Sequence, residues 1–431
     1  MANVENPVTE AGPFPAPGET AAPGGTSRAA MIFILVTVLL DFLAFGIIAP
    51  VLPDLIKQFE GGDIARASGM LGYFGLIWNL MQFLFLPVLG AWSDGFGRRP
   101  VILISCLGLG LDYIFMALAP SLRWLFVGRL ISGITASNVS TAYAYITDIS
   151  APAERAKRFG MLGAAFGVGF VVGPAMGGLL GQHYLRGPFW VAAGLSLANF
   201  VYGLFVLPES LPKEKRSKSA WHLANPLGSL TLLRSHPELA GLSIVVVLYY
   251  LAHQSLPSVW AFYTEYRYGW TRQSVGLSLG VVGVCAALVS GGLVGPYVKR
   301  FGERFSLSSG LLYGVLGFAG LGLASSGSGA VAAIPLVALW GVAGPAMQSL
   351  MSQRVDASSQ GKLQGAINSL RALTGMVGPV LFTQVFAATV AQKAKVQLPG
   401  AAYYLAGVLL AGALAVAVVT GRIAGGVAQK A

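Results

Sequence analysis

Charged residues are scarce in this chain. Asp, Glu, Lys and Arg make up 10% of its 431 residues, and hydrophobic residues make up 55%, whereas an average soluble domain carries about 25% charge. Cysteine is scarce too: Cys106 and Cys285 both lie in apolar runs, so no disulfide framework is predicted. The apolar runs have the length of roughly 20 residues that a membrane-spanning helix needs, and they lack the alternation of barrel strands. The composition therefore predicts an all-α membrane protein.

Twelve apolar runs predict twelve transmembrane helices, which we number as spans 1 to 12. Their approximate bounds are 31–53, 69–91, 100–119, 122–147, 157–183, 188–207, 238–262, 274–295, 305–325, 330–351, 361–391 and 400–424. Residues 1–30 are rich in proline, glycine and alanine without periodicity, which predicts a disordered tail. Span 1 is too long and too far from the start for a cleaved signal peptide.

The basic residues are distributed unevenly between the loops. We call the side with the loops after spans 2, 4, 6, 8 and 10 the even-loop face, and the other side the odd-loop face. The loops of the even-loop face hold fifteen Lys and Arg and the two tails hold three, against eight in the loops of the odd-loop face. Because cytoplasmic loops are rich in Lys and Arg, the even-loop face and both termini are predicted to be cytoplasmic. The net charge of +11 therefore needs no nucleic-acid partner.

An internal repeat relates the two halves of the chain at an offset of 205 residues. The matched pairs are Gly90 with Gly295, Gly97 with Gly302, Lys157 with Lys362, Gly160 with Gly365, Gly173 with Gly378, and Pro174 with Pro379. The repeat predicts a six-helix half over 31–207, a basic cytoplasmic linker over 208–237, a second six-helix half over 238–424 and a tail over 425–431. Parallel repeats of six spans with a site between them are typical of transporters.

Several motifs resemble those of the major facilitator superfamily. GAWSDGFGRRPVIL after span 2 is similar to the loop motif of the superfamily, and FGMLGAAFGVGFVVGPAMGG in span 5 is similar to the signature of its antiporters. LLDFLAFGIIAPVLPDL, the LDY of span 3, FVGRLISGIT and VWAFYTEYRYGW resemble the tetracycline/proton antiporter branch, which has twelve helices. The resemblance covers about residues 31–390 and implies the major facilitator fold, with two pseudo-symmetric six-helix halves.

The loop after span 2 matches the gating motif of the superfamily. Its residues are Gly90, Asp94, Gly97, Arg98 and Arg99. The resemblance implies that Asp94 pairs with Arg98 or Arg99, or faces the N-terminus of span 11, in one conformation only. Such a contact would latch the cytoplasmic gate as a bistable element. The alternative is a solvated loop aspartate at a helix end.

Two acidic residues, Asp41 and Asp112, lie well inside apolar spans. An aspartate at the bilayer centre costs about 2.5–3.5 kcal/mol on insertion scales, so a functional role is expected; the alternative is a structural hydrogen bond to a neighbouring helix. A carboxyl group in surroundings of low polarity can gain or lose a proton near neutral pH. Both positions match aspartates of the tetracycline antiporters, and Arg129 matches their GR motif. The resemblance therefore implies proton coupling through Asp41, Asp112 and Arg129.

Polar residues at helical spacing mark candidate cavity faces on four spans. The candidate substrate-binding residues are Asn79 and Gln82 on span 2, Asn138, Thr141 and Tyr145 on span 4, Tyr249, His253 and Trp260 on span 7, and Asn368 and Arg371 on span 11. Arg371 could bind an anionic group or balance a carboxylate. The same spacing would also suit faces that pack helices together, and His253 could be a core histidine with satisfied hydrogen bonds.

The small residues of span 5 predict a helix-packing role. They are Gly163, Gly167, Gly173, Pro174, Gly177 and Gly178. Glycine has no side chain that could touch a ligand, so its use here is the close approach of helices, with a bend at Pro174. The resemblance implies that this helix seals the pathway against leak.

Spans 8 and 9 depart from the tetracycline antiporters. Where the best-known members carry a histidine and an aspartate, this sequence has Ala286 and Gly314, and these spans contain no acidic residue or histidine. The sequence therefore places the proton machinery in the first half.

Together these features predict a proton-coupled antiporter that exports tetracycline or a similar amphipathic drug by alternating access, across a bacterial-type inner membrane. Its expected partners are the drug, protons and the lipid bilayer, with no cofactor and no protein-bound metal; tetracycline could carry a divalent metal with it. The resemblance implies that a monomer is functional.

One alternative is a solute–proton symporter on the same fold, although the span 5 motif favours export. A second is a membrane-embedded enzyme, but the sequence has no metal-ligand cluster, nucleophile elbow or phosphate loop.

Overall fold

The computed structural model describes residues 24–136, 138–216, 239–356, 359–392, 394 and 397–428. Within these ranges the chain is almost entirely helical and has no strand. Eleven helical segments are long and apolar enough to cross a membrane: Ala30–Phe59, Ile64–Phe96, Arg98–Leu118, Lys157–His183, Gly187–Val206, Ala240–Tyr268, Arg272–Phe301, Glu303–Leu323, Gly327–Ser352, Gln360–Val390 and Ala401–Thr420. They are spans 1 to 3 and 5 to 12, which confirms the helical membrane architecture.

Span 4 differs from the single helix predicted over 122–147. The structure has two helices instead, Leu122–Thr135 and Asn138–Ile149, and each is too short to count as a span alone. At the break, Ala136 leaves the helical conformation with ψ 58°, and Ser132 and Thr135 just before it donate to backbone carbonyl groups of the preceding turn. The two helices together take the place of the twelfth span.

Four other spans are interrupted within their length. Span 1 consists of helices Gly24–Ile48 and Leu52–Phe59, and span 7 of Ala240–His253 and Ser255–Tyr268. Span 8 runs through Arg272–Leu288, the π-helix Val289–Leu293 and Val294–Phe301, and span 10 through Gly327–Leu339, the 3-10 helix Trp340–Val342 and Ala343–Ser352. Interruptions of this kind are often found where membrane helices line a cavity.

The ends of the bundle differ from the predicted tails. The first helix begins at Gly24 and the last, Ala401–Ala428, continues past span 12, so residues 24–30 and 425–428 are helical where tails are predicted. A short 3-10 helix, Lys213–Lys215, follows span 6. The remainder of both predicted tails, and residues 217–237 of the predicted linker, lie outside the described residues.

The helices pack in two sets that follow the repeat. Span 1 packs on spans 5 and 6 in the first half, as span 7 packs on spans 11 and 12 in the second. Span 3 packs on span 6, as span 9 packs on span 12. The turns after spans 2 and 8 also match, because Gly97 and Gly302 both have positive φ, 109° and 77°, a conformation that glycine adopts without penalty.

Two helix pairs join the halves, span 2 with span 11 and span 5 with span 8. Both pairs are in close contact toward the odd-loop face. A Cβ atom added to Gly75 would lie 2.7 Å from Cβ of Pro379, and one added to Gly283 would lie 2.6 Å from Cγ2 of Val171. Glycine at these positions lets the two halves approach within backbone contact distance.

The same helix faces lose contact toward the even-loop face. Gly163 and Gly167 continue the face of span 5 that carries Val171, and Gly291 continues the face of span 8 that carries Gly283. Among the described residues, a Cβ atom at any of these three glycines, or at Gly90 of span 2, would meet no side chain of a non-neighbouring residue and no other helix within 4 Å. The two halves therefore diverge, and the space between them opens at the even-loop face.

Candidate functional site

Three of the predicted substrate-binding residues have exposed side chains in the middle of spans that face this opening. His253 lies at the break of span 7, and Asn368 and Arg371 lie one turn apart on span 11. The guanidinium carbon of Arg371 lies 5.4 Å from the ring centroid of Tyr250, within range of a cation–π interaction. His253 and Arg371 are close enough to interact electrostatically. The structure thus brings a cation, an imidazole and an aromatic ring together at one place.

Amide side chains from the two halves meet beside this group. Asn79 of span 2 donates to the carbonyl oxygen of Gly75 at 2.8 Å, and its side chain faces Gly375 of span 11. Gln254, between the two helices of span 7, packs on Gly375 and Gly378. Gln82, one turn along span 2 from Asn79, is partly exposed. The sequence analysis missed Gln254, although a polar residue inside an apolar span was a usable signal.

Three of the predicted cavity residues are instead buried within one half. Trp260 is 2% exposed and donates from Nε1 to Ser278 Oγ at 2.9 Å. Tyr145 is fully buried and donates to the carbonyl oxygen of Pro208 at 3.0 Å. Tyr249 is 7% exposed and packs against Trp340 with ring centroids 4.7 Å apart. In this structure all three side chains pack inside one half, as in the packing alternative, and Trp260 and Tyr145 also form hydrogen bonds there.

Span 4 contributes little to the opening. Thr141 is 2% exposed, and its hydroxyl forms no hydrogen bond with the part of the chain that the structure describes. The side chain of Asn138 lies outside the described residues. The polar face of this span therefore turns into the first half.

A buried carboxyl group on span 3 lies near an arginine of span 4. Asp112 is 1% exposed, and neither of its carboxylate oxygens has a hydrogen-bond partner among the described residues. Arg129 is close enough to interact electrostatically with this carboxylate. Gly128 makes room for it, since a Cβ atom there would lie 3.1 Å from Asp112 Oδ1. The structure thus places two of the three predicted proton-coupling residues near each other, and among the described residues no donor bonds to the carboxylate of Asp112.

The third proton-coupling residue, Asp41, belongs to a hydrogen-bond network between spans 1, 3 and 6. Asn199 of span 6 is 1% exposed and donates to Asp41 Oδ1 at 3.4 Å and to the backbone oxygen of Thr37 at 3.3 Å. Thr37 donates its hydroxyl to Asn199 Oδ1 at 3.1 Å. The sequence analysis missed Asn199, the amide that holds Asp41.

The gating motif forms a network inside the first half. Arg98 donates from Nη1 to Asp94 Oδ1 at 2.5 Å and to Ser93 Oγ at 2.8 Å, and from Nε to Asp148 Oδ2 at 3.1 Å. Ser210 also donates to Asp148, at 3.0 Å. Arg98 is 12% exposed in this network, whereas Asp94 is 49% exposed. Of the predicted pairings of Asp94, the structure has the one with Arg98.

A second acid, Glu209, closes the turn after span 2. Its carboxylate accepts from the backbone N–H of Arg98 at 2.9 Å and from that of Arg99 at 3.3 Å. These are the first two backbone donors of span 3, where a carboxylate is favoured by the helix dipole. Arg99 donates its side chain to the backbone oxygen of Leu204 at 2.8 Å. The sequence analysis missed Glu209, which follows span 6 and lies far from the motif in the chain.

Four charged residues join the two halves at the odd-loop face. Asp54 and Lys57 at the end of span 1 form a pair at 3.2 Å. Arg272 of span 8 pairs with Asp54, and Glu265 of span 7 pairs with Lys57. We call these four residues the odd-face cluster; it borders a cavity of about 270 Å³. Lys57 and Arg272 are among the eight basic loop residues counted at this face, and no sequence signal links them to Asp54 and Glu265.

The glycines of span 5 have different neighbours along its length. Gly173 packs against Leu43 and Gly46 of span 1, and Gly177 packs against Ile47. Gly178 and Pro174 contact span 8, through Arg272 and Gly276. Gly163 and Gly167, which the sequence assigns to helix packing, have no such neighbour in this structure. Their packing role therefore does not apply when the halves are apart at the even-loop face.

The profile of the Major Facilitator Superfamily matches residues 34–379 of the chain. A tetracycline resistance protein of class C from Escherichia coli is 39% identical over 88% of this chain and 95% of that protein. The class D protein from Salmonella ordonez is 36% identical over 83% of this chain and 90% of its own length. Among solved structures, the human organic anion transporter MFSD10 (TETRAN) has 25% identity and a TM-score of 0.67, covering 91% of this chain and 99% of its own.

Solved transporters with lower identity share the fold. A bacterial homologue of the human lysosomal transporter Spinster has a TM-score of 0.76 at 17% identity, covering 93% of this chain and 98% of its own. The family match, the relatives and the six-plus-six arrangement of helices agree with one another. The chain is a transporter, not an enzyme, and belongs to the major facilitator superfamily.

Proposed function

We propose that the protein exports tetracycline, or an amphipathic drug of similar chemistry, in exchange for protons. The observation that carries this proposal is Asp112, a carboxyl group 1% exposed in the membrane-spanning part of the first half. Its oxygens have no hydrogen-bond partner among the described residues and its charged neighbour is Arg129. Protonation removes the charge of a carboxyl group in such a place, and this property suits a proton carrier. The tetracycline resistance proteins among the relatives support the choice of substrate.

The transport cycle that we propose uses two open states. With the even-loop face in the cytoplasm of a bacterial inner membrane, as the loop charges favour, both termini are cytoplasmic and the described conformation faces inward. A drug enters between the halves while the proton site is deprotonated. After the halves close at the even-loop face and part at the odd-loop face, a proton from outside reaches Asp41 or Asp112 and the drug is released. Return to the inward-facing state releases the proton to the cytoplasm.

We assign the drug site to the group around Arg371. The guanidinium over Tyr250 and the nearby His253 suit a planar substrate with an anionic oxygen, since Arg pairs with oxyanions and stacks on flat rings. Asn79 and Gln254 supply amide donors and acceptors at the contact between the halves. If the drug carries a divalent metal, the metal is part of the substrate.

The experiment that tests this function uses inside-out membrane vesicles from a host without other drug pumps. Tetracycline uptake should depend on an imposed pH gradient, and drug entry should release protons from the vesicle lumen. Asp112→Asn should abolish this uptake, while Asp63→Asn, a surface aspartate at the odd-loop face, should leave it unchanged. The proposal would be contradicted if tetracycline uptake by wild type were independent of the pH gradient, or if Asp112→Asn retained full uptake. A companion susceptibility panel would identify another drug if tetracycline fails.

A further inference from the structure

A basic cavity lies at the even-loop face of the second half, away from the drug site. Its volume is about 420 Å³. It is lined by Phe301, Gly302, Glu303, Arg304, Phe305, Leu350, Gln353 and Arg354. The cavity lies where span 8 ends at Phe301 and span 9 begins at Glu303, so it is at the level of a membrane surface. Its lining residues come from the end of span 8, the start of span 9, and the end of span 10 with the residues that follow it.

The single acid of this lining is already engaged. Glu303 accepts from Ser349 Oγ at 2.5 Å and from Gln353 Nε2 at 2.7 Å. Its carboxylate is therefore held against span 10 by two donors. Arg304 and Arg354 leave the lining with a net positive charge, and Lys299 and Arg300 are exposed on the preceding turn.

The equivalent place in the first half is filled by the chain itself. Glu303 and Arg304 correspond to Arg98 and Arg99 at the offset of 205 residues. In the first half the carboxylate of Glu209, from the segment after span 6, accepts from the backbone of these residues and pairs with Arg216 at 3.7 Å. The segment after span 12, residues 421–431, contains no Asp or Glu. In the first half, the carboxylate of Glu209 therefore lies at the start of span 3. At the corresponding start of span 9 in the second half, the described residues form a cavity lined by two arginines.

Apolar surface adjoins the basic cavity. Phe301 is 47% exposed and Phe305 is 54% exposed. The guanidinium carbon of Arg300 lies 5.6 Å from the ring centroid of Phe301. An occupant that matches both features has a negatively charged head and an apolar body. Basic pockets between membrane helices at this depth bind anionic lipid head groups.

We propose that this cavity binds the phosphate group of an anionic phospholipid, held by Arg304 and Arg354, with the acyl chains against Phe301 and Phe305. Arginine suits the role because its planar group can donate two parallel hydrogen bonds to one phosphate. Each basic residue near a membrane surface contributes about 1 kcal/mol toward an anionic lipid. Loss of both charges should therefore weaken binding roughly thirtyfold.

The test measures retention of phosphatidylglycerol by the full-length protein in a neutral detergent, using native mass spectrometry over a titration of the lipid. Arg304→Gln with Arg354→Gln should weaken the tightest phosphatidylglycerol site roughly thirtyfold. Arg304→Lys with Arg354→Lys keeps the charges and should retain most of the affinity, which separates lipid binding from misfolding. Lys157→Gln with Lys213→Gln removes the same charge from the even-loop face of the first half and should leave that site intact.

Two further arms identify the source of the phosphate group. Phosphatidylcholine, which has a neutral head group, should not compete for the site. Inorganic phosphate alone should displace the lipid only weakly, because it lacks the apolar contacts. Equal affinity of the double Gln variant and wild type would overturn the proposal, as would an equal loss in the Lys157/Lys213 control. Binding of inorganic phosphate without binding of phosphatidylglycerol would replace the lipid by a soluble anion and would also overturn it.

Discussion

The odd-face cluster should set the balance between the two open states of the transporter. Arg272 and Glu265 of the second half pair with Asp54 and Lys57 of the first, and the side chains of these four residues are 13–33% exposed. Parting of the halves at this face breaks both pairs. A charge-assisted hydrogen bond contributes about 1.5–3 kcal/mol when buried, and an exposed pair about 0–1 kcal/mol. For these half-buried pairs we take about 1 kcal/mol each, or about 2 kcal/mol in favour of the closed odd-loop face.

The perturbation that tests this value is Glu265→Gln with Arg272→Gln. It removes both pairs between the halves, leaves Asp54 with Lys57, and does not change the net charge. A loss of about 2 kcal/mol shifts the equilibrium roughly thirtyfold toward the state that is open at the odd-loop face. An open population of about one in a hundred would then rise to about a quarter.

The assay is a distance measurement between two spin labels in lipid nanodiscs. Labels at Gln58→Cys and Ser328→Cys, both exposed at the odd-loop face, should gain a longer distance in the double variant. Labels at Lys157→Cys and Lys299→Cys on the even-loop face should gain a shorter one, because the halves close there as they part at the other end. Raising the salt concentration should move wild type in the same direction, since ions screen the exposed part of each pair.

The matched control is the ion pair between Asp63 and Arg66. It lies at the same face within the first half, with N···O 3.5 Å. Asp63→Asn with Arg66→Gln is also neutral overall and should leave both distance distributions unchanged. Unchanged distributions in the Glu265/Arg272 variant, or equal shifts in the control, would refute a gating role for the odd-face cluster.

Three further outcomes follow from the site. Asp112→Asn should abolish export against a gradient but still bind the drug. Drug affinity of wild type should fall as the pH is lowered, and this dependence should be absent in the mutant; uphill export by the mutant would contradict proton transfer at this residue. Asp94→Asn should reduce transport at unchanged expression and drug affinity, because Arg98 keeps Asp148 but loses its exposed partner; full transport rates would exclude the latch. Cysteine at His253 or Arg371 should react with aqueous thiol reagents and be protected by the drug, whereas cysteine at Trp260 should stay unreactive; the opposite pattern would favour a drug site elsewhere.

The sequence predicts the fold well because the relevant signals are local or periodic. Apolar runs of membrane length locate eleven of the spans, and the offset of 205 residues predicts the two halves. The break in span 4 was missed because hydropathy averages over a whole apolar run and does not register a change of backbone conformation at one residue, Ala136.

The candidate site was predicted only where a residue is unusual for its surroundings. Asp41, Asp112 and Arg371 stand out as charges within apolar spans, and the structure gives each a charged or polar neighbour. The burial of Trp260 was not predicted, because a stripe of polar and aromatic residues looks the same whether it faces a cavity or a neighbouring helix. Glu209 was missed because its contact joins segments about 110 residues apart.

The glycine faces of spans 5 and 8 that lack contacts at the even-loop face allow one conformation of the transport cycle to be trapped by mutation. A side chain introduced at Gly163 or Gly167 finds open space in the present conformation, since among the described residues no side chain of a non-neighbouring residue and no other helix lies within 4 Å of the added Cβ. When the halves close at the even-loop face, the same side chain would clash with the opposing helix, because only small residues such as glycine allow helices to approach so closely. Gly167→Leu should therefore hold the protein open at one face without touching a charge or the drug site. Such a variant would separate the drug affinity of the state that is open at the even-loop face from the turnover of the whole transporter.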